Sequence, residues 1–99
     1  MRYYLEVIRS FADADTEFIW QTGKSRPIPA NLRSSALKKL AVVDSAECLA
    51  DLAEPPGNQL EALKRDRKGQ LSIRINKQYW LCFVWAEPHA YEVEVVDHR

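Results

Sequence analysis

Leu71-Ser72-Ile73-Arg74-Ile75-Asn76-Lys77-Gln78-Tyr79-Trp80-Leu81-Cys82-Phe83-Val84-Trp85 is the stretch on which the fold turns. Leu71, Ile73 and Ile75 make one apolar row; Tyr79, Leu81, Phe83 and Trp85 make a second. A period of two marks half-buried strands, so strands are predicted over 70–75 and 79–85. Both rows lie under one cover only if Ile75 stands opposite Tyr79, with Asn76-Lys77-Gln78 as a three-residue turn, because a one-residue slip turns every side chain over. The other face then carries Ser72 and Arg74 beside Trp80, Cys82 and Val84. A polar and aromatic face without a cover of helices is a natural place for a ligand.

Further strands are expected downstream over 90–97 and upstream over 60–64. In the first, Tyr91, Val93 and Val95 form a third apolar row, with Glu92 and Glu94 toward the open face. The second follows a breaker, Glu54-Pro55-Pro56-Gly57-Asn58. Helices gather earlier. Asp13 is an N-cap with acids in the first turn behind it, and that helix stops at Gly23. Pro29 suits the first turn of a second helix, whose Leu32, Ala36, Leu37, Leu40 and Val43 fall on one side. Asp44 with Glu47 has the pattern of a capping box for a short helix through Cys48, Leu49 and Leu52. A Tyr-, Val- and Ile-rich strand over 2–11 opens the chain. The order β-α-α-β-β-β-β predicts an α+β fold, a small domain with a mostly antiparallel sheet and its N-terminal helices on one face.

The chain has 99 residues, 46% hydrophobic and 28% charged, which fits a single domain over 1–99 and excludes a disordered polymer. No apolar run approaches the ~18 residues of a membrane span, and Met1-Arg2-Tyr3-Tyr4-Leu5-Glu6 lacks the form of a signal peptide. Cys48 and Cys82 have apolar neighbours and read as buried thiols in a reducing cytoplasm. Two cysteines and two histidines without ligand spacing predict no zinc site. Basic and acidic residues balance at 14 each, so total charge announces no nucleic-acid partner. Their distribution is uneven. Between Gln59 and Trp80, Lys64, Arg65, Arg67, Lys68, Arg74 and Lys77 face only Glu61 and Asp66, which suits either a solvated turn or an anion-binding edge.

Ile8-Arg9-Ser10-Phe11 and Ala36-Leu37-Lys38-Lys39-Leu40 are the first stretches with a wider resemblance. The most specific block runs from Pro55-Pro56-Gly57-Asn58-Gln59-Leu60-Glu61-Ala62-Leu63-Lys64 through Asp66-Arg67-Lys68-Gly69-Gln70 to Ser72-Ile73-Arg74-Ile75-Asn76. Cys82-Phe83 with Trp85 and the ending Val93-Glu94-Val95-Val96-Asp97 follow it. In these the chain resembles the HigB toxins, killer proteins of bacterial toxin–antitoxin pairs in the RelE/ParE superfamily. The resemblance implies a growth-arresting, ribosome-dependent endoribonuclease that cuts messenger RNA in the decoding site without a metal or other cofactor. It implies a helix-turn-helix, HigA-like antitoxin and the ribosome with its messenger RNA as partners, a place in the cytoplasm, and no membrane.

Such a reaction needs a base for the attacking 2′-hydroxyl, cations for the extra charge on phosphorus, and an acid for the leaving oxygen. Arg74 suits the second task, being always charged and able to grip two phosphate oxygens. Lys64 offers another cation, Asp97 matches the family's terminal Val-Asp, and His98 titrates near neutrality. Arg65, Arg67, Lys68, Asn76 and Arg99 are the expected RNA contacts. Trp80 joins them as a stacking platform, standing where the family commonly has arginine, while His98 stands where it commonly has tyrosine. The alternative reading is a non-cleaving or protein-binding toxin, like the superfamily branch that inhibits gyrase, or a weakened toxin that mainly binds its antitoxin. Trp80, Val84 and the neutral charge favour that alternative.

Overall fold

In the computed structural model, residues 7–25, 28–54 and 56–97 are described. Three helices come first: α1 (Ala14–Thr22), α2 (Ala30–Ser45) and α3 (Leu49–Ala53). A 3-10 turn at Pro56–Asn58 leads to β1 (Glu61–Ala62), and a second at Arg65–Arg67 leads to β2 (Leu71–Arg74), β3 (Tyr79–Ala86) and β4 (His89–Asp97). The sheet runs β1-β2-β3-β4 with every neighbour antiparallel. This is the expected α+β architecture.

Local chemistry sets the helix ends. Asp13 accepts a hydrogen bond from Thr16 N at 3.1 Å, and Gly23 closes α1 at φ 76°, where its N–H reaches Ile19 O. Pro29 occupies the cap position of α2, one residue before the first turn. The predicted capping pair of α3 is corrected. Asp44 lies inside α2, buried, and accepts from Ile8 N at 3.0 Å; Asp51 instead takes the N–H groups of Glu47 and Cys48.

The hairpin register is the predicted one. Arg74 pairs with Trp80, and Ile75 N donates to Tyr79 O at 3.0 Å across the turn. Leu81, Phe83, Ile73 and Val93 are fully buried with Ile19, Leu40, Val43 and Leu52, so one sheet face and the helices share the core. Each such side chain contributes roughly 1.5–3 kcal/mol of burial. α1 and α2 pack on each other, and α2 lies on β3 and β4.

Three strand expectations change. The third apolar row is Ala90, Val93 and Val95 rather than Tyr91, Val93 and Val95. A bulge between Cys82 and Val84, with Glu92 at φ 54°, shifts the register and sends Tyr91 to the other face opposite Val84. The strand expected over 60–64 shortens to Glu61–Ala62, because Arg65 at φ 59° turns the chain into its 3-10 turn. Of the N-terminal strand, residues 2–6 lie outside the described residues. The rest runs parallel to β4, bridging Ile8 to Ala90 and Phe11 to Val93. Both cysteines are free; Cys82 is buried as expected, whereas Cys48 is half-buried.

Candidate functional site

Same-face residues of the sheet form cross-strand rows. On the face turned away from the helices, Arg74, Trp80 and Val96 make one row, and Glu61, Ser72, Cys82 and Glu94 make the next. Long side chains flank short ones, so a cleft of about 240 Å³ opens over Ser72 and Cys82. Glu61, Leu63, Arg67, Trp80, Val96 and Asp97 complete its lining.

Arg74 is held on three sides. Its Nε donates to Asn76 O at 2.9 Å, an Nη donates to Gln59 Oε1 at 3.3 Å, and the guanidinium carbon lies 5.5 Å from the Trp80 ring centroid. That last contact is a cation–π pair, worth ~0.5–1 kcal/mol at an exposed site and more when desolvated. It also fixes the ring. Trp80 is half-buried rather than exposed.

Arg67 reaches from its turn over the sheet to Glu94 Oε1 at 3.1 Å and Gln70 Oε1 at 3.0 Å. Burial pushes the Cys82 thiol up, the Arg67 guanidinium pulls against it and the Glu94 carboxylate adds to the rise, so it stays protonated at neutral pH. Ser72 Oγ is fully buried and has no hydrogen-bond partner among the described residues.

The expected site residues are thus partly united. Arg67, Trp80 and Asp97 line one cleft, with Arg74 stacked on Trp80. Asp97 shares the strand parity of Val95 and borders a cavity on the helix side with Thr16 and Tyr79, yet as the last residue of β4 it also lines the open-face cleft. Asn76 is occupied by its turn: its Oδ1 accepts from Gln78 N and Tyr79 N. Lys64, Arg65 and Lys68 are exposed along the 64–68 turn and do not line the cleft. His98 and Arg99 lie outside the described residues. Among those described, no three His, Cys, Asp or Glu side chains gather as a metal site.

Sequence reasoning placed Ser72 and Cys82 on this face but gave them no task. It missed Glu61, Leu63 and Val96, whose strands meet only through the sheet order. Gln59, as a partner of Arg74, had no local signal, because positive φ (49°) carries its side chain to a residue fifteen places on.

With an arginine on an aromatic ring beside a small polar-floored cleft, the face can bind an anion and a flat ring next to each other. Residues 9–98 match the family model of the HigB-like toxins, described as RelE-like toxins of type II toxin–antitoxin systems. The chain is 36% identical over 83 residues to Toxin HigB-1 of Vibrio cholerae serotype O1, covering 84% of this chain and 87% of that one. It is also 36% identical over 75 residues to an uncharacterized protein of Haemophilus influenzae, covering 67% and 74% respectively. As a type II toxin it has an antitoxin for a partner. This chain belongs to the HigB-like toxin family, the RelE-like toxins of type II toxin–antitoxin systems.

Proposed function

We propose that the chain, as a single toxin domain, is a ribosome-dependent, metal-independent endoribonuclease that cuts messenger RNA during translation in the cytoplasm. The observation that carries this reading is Arg74, locked by Asn76, Gln59 and Trp80 on the face that the helices leave open. A fixed cation needs no reorganisation when charge develops on phosphorus. In the reaction the RNA 2′-oxygen bonds to the adjacent phosphorus as its proton passes to a base. The phosphorus–O5′ bond then breaks and O5′ receives a proton. Asp97, the last residue of β4, and His98, the next residue in the sequence, are the proposed proton-handling pair, with Lys64 as a second cation. Arg65, Arg67, Lys68 and Arg99 would follow the RNA backbone, and Asn76 would hold the turn that holds Arg74.

The proposed antitoxin is HigA-like, with a helix-turn-helix domain. The decisive experiment is primer extension on messenger RNA after brief induction. Discrete cuts inside translated frames, absent when translation is blocked, are the expected result. Growth arrest without cuts would favour a non-cleaving, protein-binding toxin, a reading to which the apolar Leu63, Trp80 and Val96 of the cleft also lend themselves.

A further inference from the structure

The cleft beside Arg74 is not itself suited to a phosphate. Its lining holds one cation, Arg67, against two carboxylates, Glu61 and Asp97, and Arg67 is already paired with Glu94. An added anion would meet net negative charge. A neutral, flat group is suited instead. The cleft's 240 Å³ falls just under the ~300 Å³ at which pockets begin to take drug-sized ligands, which leaves room for a one- or two-ring system.

Its walls and floor differ in kind. Trp80, Leu63 and Val96 offer apolar surface, and aromatic rings hold nucleobases by stacking. The floor is Ser72 and Cys82, the two shortest side chains of the row Glu61-Ser72-Cys82-Glu94. Ser72 Oγ is buried with no partner among the described residues, and buried hydroxyls rarely stay so unless a ligand or water completes them. The Cys82 thiol beside it keeps its proton and can donate weakly. At the rim a guanidinium can donate and carboxylates can accept, matching the alternating donors and acceptors of a base edge.

We propose that the hollow over Ser72 and Cys82 receives one unpaired nucleobase, with Ser72 Oγ reading its edge while the neighbouring phosphate meets Arg74. The proposal rests on the nuclease reading for the presence of RNA. Base preference at the cut would then reside in the floor of the sheet, not in the basic turn.

The test needs no ribosome. The four nucleoside 5′-monophosphates and ribose 5-phosphate are each titrated into the 15N-labelled full chain, and the amide signals of Leu63, Ser72 and Cys82 are followed. Saturable shifts that differ among the four bases, with none at these amides from ribose 5-phosphate, are expected. Ser72→Val should abolish them by filling the hollow, and Ser72→Ala should level the preference by about tenfold. If Ser72→Val loses its dispersed spectrum, Ser72→Ala alone carries the comparison. Equal shifts from ribose 5-phosphate, no shifts with any base, or unchanged preference in Ser72→Ala would overturn the pocket. Messenger RNA cuts without nucleotide shifts would reject the pocket and leave the nuclease standing, while shifts without cuts would do the reverse.

Discussion

Arg74 and Lys77 are both bases near one hairpin, but only one is held. Lys77 is exposed at the turn, whereas Arg74 is fixed by two hydrogen bonds and a ring. On the proposed chemistry, Arg74→Ala should lower single-turnover cleavage on programmed ribosomes by about 10²–10³-fold, as loss of one preorganised charge-stabilising donor does elsewhere. Lys77→Ala should change it by at most about fivefold, since solvent-exposed ionic contacts are worth ~0–1 kcal/mol. Equal effects would remove Arg74 from the site. Cys82 makes a separate residue-scale prediction. A thiol whose folded pKa lies above its unfolded value holds its proton longer in the folded chain. That share of stability is complete below the ordinary value of 9.0 and is lost as pH rises from there through the folded value. Denaturation midpoints of wild type should therefore fall more steeply above pH 9 than those of Cys82→Ala, and iodoacetamide should modify half-buried Cys48 first.

Two glycines separate a conformational need from an open space. Gly23 ends α1 at φ 76°, and a methyl group there would merely touch Leu37 at 3.7 Å, so the cost of Gly23→Ala is backbone strain of about 1–2 kcal/mol. At Gly57 an added Cβ meets nothing within 4 Å and φ is ordinary; Gly57→Ala should be neutral or up to ~1 kcal/mol stabilising. Urea melts of the two variants check this. The contrast bears on what the chain's letters reveal. Asp13, Gly23 and the hairpin of 70–85 act through near neighbours, and each was legible. Tyr91 was not, because its bulge is pinned from far away: Ser10 Oγ accepts from Glu92 N, and Ser10 O accepts from Val93 N. The same holds at the site. Arg74 beside Trp80 followed from alternation in one hairpin. The cleft needed four strands in order, which no local pattern encodes.

For the whole molecule, the family makes an antitoxin the natural counterweight. Production of the chain alone should arrest growth, and co-production of the proposed helix-turn-helix antitoxin should restore it; colony counts after induction measure both. The neutral total charge limits how far electrostatics alone can drive the proposed ribosome binding. Affinity should therefore fall only shallowly with salt, in filter-binding or sedimentation assays, compared with a strongly basic ribosome ligand.

The pairing of residues 8–11 with β4 has a consequence in time. Ala90 N donates to Val7 O and Ala12 N to Val93 O, while Thr16 Oγ1 accepts from Val95 N and joins α1 to the same strand. The early segment therefore has its partner only in β4, the last of the described strands, about eighty residues later. Chains emerge from the ribosome N-terminus first, at ~5–20 residues per second, so this seam closes only once β4 is clear of the exit tunnel. Val96 and Asp97, which complete the cleft, arrive in the same interval. On the proposed chemistry, a nascent copy therefore has no complete cleft until β4 is clear of the tunnel.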